Sequence, residues 1–64
     1  MEEIELKKGI AQMYYAMSRA CRRHCEAIEE DYERFYPSDM KLGYELYDKG
    51  KVKYQLVLEL KKVE

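Results

Sequence analysis

The sequence lacks threonine and tryptophan, has one histidine and one proline, and shows no excess of either charge. Twelve lysine and arginine residues stand against thirteen aspartate and glutamate residues, which leaves a net charge of −1. A nucleic-acid-binding protein normally carries a basic excess, because counterion release from phosphates supplies most of its nonspecific affinity. We therefore do not expect a nucleic-acid partner, and salt-sensitive binding of DNA or RNA through Arg19, Arg22 and Arg23 is a third alternative, disfavoured by the nearby glutamates.

Long apolar runs are also absent. The longest, MYYAM at residues 13–17, falls far short of the roughly 20 residues that a membrane-spanning helix needs. The first residues, MEEIELKK, are acidic and lack the apolar region of a secretory signal. Two cysteines in such a chain are expected to be reduced rather than paired. Together these features predict a cytoplasmic protein with no membrane association.

Groups that carry catalysis are scarce. Apart from the tyrosines, only Ser18 and Ser38 bear hydroxyl groups. On a helix, Asp31 would lie about 10 Å along the axis from the only histidine, His24. At that distance it cannot orient the imidazole for nucleophilic or acid–base catalysis. We expect neither an enzymatic activity nor a cofactor.

The apolar content is sufficient for folding, since 47% of the residues are hydrophobic. A chain of this length forms a single domain, residues 1–64, and buries only about 60% of its unfolded surface. Such a core alone seldom supplies more than roughly 3–5 kcal/mol of stability. Small domains usually add a disulfide, a metal or a second subunit, so the size favours an assembly.

The single proline, Pro37, separates a helical pattern from a strand pattern. Between residues 10 and 36, bulky side chains recur every three or four positions, which predicts one long helix that stops before Pro37. This stripe contains Ile10, Tyr14, Met17, Cys21, Cys25, Ile28, Tyr32 and Phe35. Upstream, residues 3–7 alternate as in a strand, so an additional N-terminal strand, giving a βαββ order, is the alternative to more helix.

After Pro37 the apolar period changes to two, first in residues 40–47 and again in residues 52–61. This pattern predicts an antiparallel hairpin with one apolar face. A three-residue loop, Asp48-Lys49-Gly50, keeps both apolar sets on that face, whereas a regular two-residue Lys49-Gly50 turn separates them. We therefore predict the longer loop. It pairs Tyr47 with Lys51, Leu46 with Val52, Tyr44 with Tyr54 and Leu42 with Leu56.

The segment CRRHC, residues 21–25, places two thiols beside the only imidazole. Structural zinc normally takes four ligands of these types, and one chain offers three, Cys21, His24 and Cys25. Two helices that cross near residue 23 would bring enough ligands together, so a metal- or thiol-dependent dimer is the alternative function. The simpler interpretation is packing, because both cysteines continue the bulky stripe and free cysteine is often buried.

A second stripe of mostly small residues lies beside the bulky one, and the two together span about half of the helix circumference. One hairpin is too narrow to cover both, so we expect a homodimer in which antiparallel helices pack closely. That arrangement also sets the acidic half of each helix against the arginines at residues 19–23 of the other. The predicted dimer interface consists of Met13, Ala16, Ala20 and Ala27.

Exposed tyrosines and the acidic stretch are the predicted partner-binding surface, because tyrosine is enriched in protein interfaces. The residues are Tyr15, Tyr47, Glu26, Glu29, Glu30 and Glu33. Overall, the sequence predicts an α+β fold, with one long helix on an antiparallel β-hairpin. It predicts a small intracellular protein-interaction module, of the inhibitor or adaptor type, that acts as a homodimer.

Overall fold

The computed structural model describes residues 2–37 and 40–64, so Ser38 lies outside the described residues. Helix α1 (Glu3–Glu30) is followed by one 3₁₀ turn (Tyr32–Arg34) and by two strands, β1 (Met40–Asp48) and β2 (Lys51–Leu60). The strands form an antiparallel two-stranded sheet that packs on α1. The predicted α+β class, one long helix on a hairpin, is confirmed.

The helix begins at Glu3, so residues 3–7 form its first turns rather than a strand. Glu3 and Glu5 lie in the first turn, where negative charge interacts favourably with the helix dipole. Glu3 also pairs with Lys7, with 3.3 Å between Oε1 and Nζ, at the i,i+4 spacing that supports an isolated helix. Local charge thus favours helix where the alternation of apolar residues indicated a strand.

The helix ends at Glu30, and its predicted continuation to Tyr36 is wrong. Asp31 leaves the helical conformation, with φ −157° and ψ 85°. Its Oδ1 accepts the backbone N–H of Arg34 at 3.2 Å, and its Oδ2 lies 3.3 Å from Arg34 Nε. A short acidic side chain that bonds nearby backbone competes with helix continuation. The stop is therefore set at Asp31, before Pro37 acts.

The hairpin register differs from the predicted one by two residues over most of its length. Tyr44 pairs with Leu56 and Leu46 pairs with Tyr54, so the predicted Tyr44–Tyr54 pair is wrong. The shift extends the pairing as far as Met40 opposite Leu60. From Tyr54 to Leu60 the apolar set of β2 shares the face toward α1 with that of β1, as predicted, whereas Val52 pairs with the outward-facing Tyr47.

The connection is the two-residue turn Lys49-Gly50, so the predicted three-residue loop Asp48-Lys49-Gly50 is wrong. Both residues have positive φ, 55° for Lys49 and 77° for Gly50. Positive φ at both central positions defines the type I′ turn, whose twist matches that of the flanking strands. Glycine adopts this conformation at little cost, so Gly50 suits the second position.

A β-bulge reconciles this short turn with the shared apolar face. Leu46 and Tyr47 are adjacent on β1, yet they pair with Tyr54 and Val52 on β2. Lys53 is thus an extra residue on β2, and one extra residue restores the alternation that the short turn reverses. A two-residue turn separates the apolar sets only when the ladder between the strands is unbroken, so the bulge removes the need for a longer loop.

Two specific contacts hold strand β1 along α1. A methyl group at Gly9 would come within 2.9 Å of Leu46 Cδ1, so glycine lets β1 approach the helix closely. Further along, Tyr44 Oη donates a hydrogen bond to the carbonyl oxygen of Ala16, 3.3 Å away. Met13 and Met17, each 8% exposed, are the buried residues of the core.

The molecule is extended for its size, at 47 × 24 × 18 Å with a radius of gyration of 15.1 Å. A compact chain of this length would have a radius of gyration of about 11 Å. The accessible surface is 5963 Å², whereas a compact monomer of 7.8 kDa exposes about 4,400 Å². The fold therefore leaves exposed a large area that a rounder protein would bury.

Candidate functional site

The hairpin sits unevenly on α1, and this asymmetry creates the candidate site. Tyr44 of β1 lies with Ala16 and Ala20 on one side of the helix. On the other side, near the end of α1, Ile28 lies beside Leu58 and Leu60 of β2. Toward the N-terminus on the same helix side, Cys25 and Tyr14 are exposed and Cys21 is half-buried.

The exposed side of the helix and the neighbouring end of β2 together form a surface that we call the open face. Successive helix residues are rotated by about 100°, which places residues 14, 21 and 25 on the same side as residue 28. Tyr14 is 61% exposed, and Leu58 and Leu60 are 40% and 44% exposed, although both leucines are on the sheet face toward the helix. The open face consists of Tyr14, Cys21, Cys25, Ile28, Leu58 and Leu60.

A shallow apolar groove forms part of the open face. Its volume is about 190 Å³, and its walls come from the end of α1, from Phe35 and from the paired strand ends. The lining residues are His24, Ile28, Phe35, Met40, Leu58, Glu59 and Leu60. The sequence argument missed Leu58 and Leu60 as site residues, because their alternation with charged residues only showed which sheet face they occupy.

The predicted metal ligands are close in sequence but do not converge. Cys21 is half-buried, Cys25 is exposed, and the ring of His24 meets Phe35 edge-on with 6.3 Å between centroids. Among the described residues, no group of three or more histidine, cysteine or acidic side chains is placed to hold a metal ion. Within one chain, these three residues therefore do not form a metal-binding group.

The chemistry of Cys25 also disfavours a thiolate function. Cys25 Sγ donates a hydrogen bond to Glu29 Oε1 at 3.1 Å. This bond and the negative charge of Glu29 raise the pKa of the Cys25 thiol, and burial and Glu26 add to the increase. Because metal binding and thiol exchange both require the thiolate, the local environment makes Cys25 a poor ligand and a slow nucleophile.

The predicted dimer-interface stripe lies largely under the hairpin. Met13 is buried, Ala16 and Ala20 are half-buried, and Ala27 is exposed. Tyr44 reaches over this stripe to the backbone of Ala16. In the single chain, β1 thus occupies much of the surface that the sequence argument reserved for a second helix.

The two predicted partner-binding tyrosines lie on opposite sides of the molecule. Tyr15 is 67% exposed on α1, and the guanidinium of Arg19 lies 5.9 Å from its ring centroid. Tyr47 is on the sheet face away from the helix and donates a hydrogen bond to Glu45 Oε2 at 3.2 Å. The charge of Glu45 and this bond raise the pKa of Tyr47. The two tyrosines cannot share one compact site.

The acidic residues of the partner-binding prediction all lie exposed near the end of α1 and in the following 3₁₀ turn: Glu26, Glu29, Glu30 and Glu33. Glu26 Oε1 lies 3.7 Å from Arg22 Nε. The last turn of the helix has no basic residue, so the acidic charges face the negative end of the helix dipole, which is destabilising. An open cleft of about 480 Å³ lies here, between Glu30, Asp31 and Arg34.

No protein-family model matches the chain, and comparisons with curated proteins and with solved structures find no significant match. Within residues 2–37 and 40–64, no helix combines the length and apolar character needed to cross a membrane.

Proposed function

We propose that this chain is a protein-interaction module that acts as a homodimer. The observation that carries the proposal is the excess of accessible surface, about 1,600 Å² above that of a compact monomer of this mass. A protein–protein interface of standard size removes about 800 Å² from each partner. The chain therefore exposes enough area for one such interface and still has surface left for a second partner.

The size of the core supports the same proposal. Over residues 2–37 and 40–64, Met13 and Met17 are the buried hydrophobic residues, and neither is fully buried. Burial of apolar area contributes about 25 cal/mol per Å², so a core this small stabilises the single chain weakly. A second copy that covers half-exposed leucines and tyrosines would supply the missing burial.

The surface for a different protein partner is the acidic end of α1 in this proposal. Glu30 and Glu33 are exposed there, beside the cleft that contains Arg34. A basic partner would offset the unfavourable interaction of these charges with the helix dipole. Tyr15, on the outer side of the same helix, extends this surface toward the N-terminus. The module would then act by covering a basic region of its target, as an inhibitor or adaptor does.

The metal- or thiol-dependent dimer is the alternative. Its ligands would be Cys21, His24 and Cys25 from two copies. The raised pKa of Cys25 argues against it, because zinc binding would first require loss of that proton. The two proposals differ in one measurable property, the effect of a chelator on dimerisation.

The first experiment is sedimentation velocity over a hundredfold range of protein concentration, with and without a metal chelator and a reducing agent. We expect a concentration-dependent dimer under all of these conditions. A dimer that dissociates on chelation or reduction would support the alternative. A monomer at every concentration would contradict homodimerisation and leave the exposed area for a different partner.

A further inference from the structure

We infer that the second copy of the chain docks on the open face, helix against helix in an antiparallel arrangement, and not on the small-residue stripe. This inference rests on the proposed homodimer and specifies its interface. The small-residue stripe is already occupied, because Leu46 packs on Gly9 and Tyr44 bonds to Ala16. On the open face, by contrast, Tyr14, Cys25, Leu58 and Leu60 are all exposed.

The first argument is the apolar area available. Tyr14, Leu58 and Leu60 are each 40% or more exposed, and the groove between Ile28 and the two leucines has about 190 Å³ to receive a side chain. Helix and strand both contribute to this exposed apolar area. The excess area of the chain exceeds what one side of a standard interface buries, about 800 Å².

The second argument is the spacing of residues along the exposed side of α1. One set of residues recurs every seven positions: Tyr14, Cys21 and Ile28. A second pair, Ser18 and Cys25, has the same spacing and falls between them. Apolar positions that alternate at three and four residues form the seam of a helix pair. Serine and cysteine are small, so they allow two helices to approach closely. Because the seam is short, residues of β2 would contribute the rest of the interface.

The third argument is charge. Arg22 and Glu29 follow Cys21 and Ile28 directly, so both lie on the same border of the seam. An antiparallel second helix that crosses the first near Cys25 sets its Glu29 opposite Arg22, and Tyr14 then lies beyond the end of that helix, toward the groove of the second copy. A parallel one would set the two acidic ends side by side. Because the last turn of α1 has no basic residue of its own, an arginine from the second copy compensates the acidic helix end.

The test uses two exposed seam positions and one matched control. Tyr14→Arg and Cys25→Arg each place a charge in the seam, whereas Ala27→Arg places the same charge at an exposed position on the small-residue stripe. Circular dichroism establishes that each variant is folded, and sedimentation equilibrium measures its dimer dissociation constant. We expect at least a tenfold weaker dimer for the two seam variants and less than a twofold change for Ala27→Arg.

A charge exchange tests the orientation. Arg22→Glu and Glu29→Arg are each expected to weaken the dimer several-fold, and the double variant is expected to restore it. In the Cys21→Ser variant, whose only thiol is Cys25, alkylation should slow as the protein concentration rises, because the dimer covers the thiol.

The outcomes separate the inference from the proposal on which it rests. If the wild-type chain is monomeric throughout, the homodimer itself is wrong. If the wild type dimerises but Ala27→Arg breaks the dimer while Tyr14→Arg and Cys25→Arg do not, the homodimer stands and the open face is wrong. If the seam variants dissociate and the double exchange fails to restore the dimer, the antiparallel arrangement is overturned.

Discussion

Strands β1 and β2 have nearly the same sequence pattern but different surroundings. Along β1, every second residue from Met40 to Asp48 is at least half-covered. Along β2, Leu56 is the single residue that reaches this level of burial, although Leu58 and Leu60 point to the same sheet face. The comparison shows that an alternating pattern identifies which face is apolar, but not whether anything covers it.

The reason is the width and position of the helix. One helix with its side chains is about 10 Å wide, and two strands are about 4.8 Å apart, so a centred helix would cover both. Here Gly9 lets Leu46 of β1 approach the helix axis, and Tyr44 is bonded to Ala16. The helix is thereby held over β1, and the inner face of β2 is left at its edge.

The largest expected effect is that of deleting one residue from β2, and it depends on whether the deleted residue is the extra one at the bulge. Deletion of Lys53 should be tolerated, because it removes the bulge while Leu46 still opposes Tyr54 and the leucines beyond stay on the inner face. Deletion of Val57 should unfold the domain, because it turns part of the apolar set of β2 outward. Urea unfolding followed by circular dichroism measures both. Loss of the fold in the Lys53 deletion would contradict the bulge.

A smaller effect is expected from leucine truncation on the two strands. Leu46→Ala should cost about 2 kcal/mol, toward the lower end for buried leucines because Leu46 is half-buried. Leu58→Ala should cost about 1 kcal/mol in dilute solution, where the side chain is already 40% exposed.

Protein concentration sharpens this second comparison. If the open face forms the dimer interface, the cost of Leu58→Ala should increase with concentration, because the wild-type dimer buries Leu58 and mass action stabilises it. The urea midpoint of each variant, measured at several concentrations against the wild type, tests this. Equal costs for the two truncations at every concentration would contradict the uneven position of the helix.

The smallest expected effect concerns two tyrosines on the sheet face toward α1. Tyr44→Phe removes the hydrogen bond to the carbonyl oxygen of Ala16 and should cost about 0.5–1.5 kcal/mol. Tyr54→Phe should change stability by less than about 0.5 kcal/mol, the usual range for exposed positions, because Tyr54 is 45% exposed. Thermal unfolding at fixed concentration measures both. A larger loss for Tyr54 would show that β2, and not β1, is the anchored strand.

Much of the fold could be predicted from single residues and local pattern. The three- and four-residue spacing identified α1, and the two-residue spacing identified the hairpin and its apolar face. The ends were less predictable. Asp31 stops the helix through bonds to Arg34, and the Lys53 bulge permits the Lys49-Gly50 turn. Both depend on hydrogen bonds between particular groups, which hydrophobic periodicity does not encode.

The candidate site was predictable only in part. The sequence argument found the wide apolar arc of the helix and the exposed acidic residues, but it assigned the bulky stripe to the hairpin and the small stripe to a second helix. In the structure, Tyr14 and Cys25 of the bulky stripe are exposed, whereas Met13 of the small stripe is buried. A helix pattern defines an arc, and it does not say which part of the arc a narrow hairpin will cover.

The sequence by itself determined which elements form and which of their faces are apolar, because backbone geometry converts residue spacing directly into a helix stripe or a sheet face. Tertiary structure alone decided where the hairpin sits on the helix. That choice depends on atomic fit, with Leu46 against Gly9 and the hydroxyl of Tyr44 on the carbonyl of Ala16. These contacts join residues far apart in the chain, and they leave the open face as the surface available for binding.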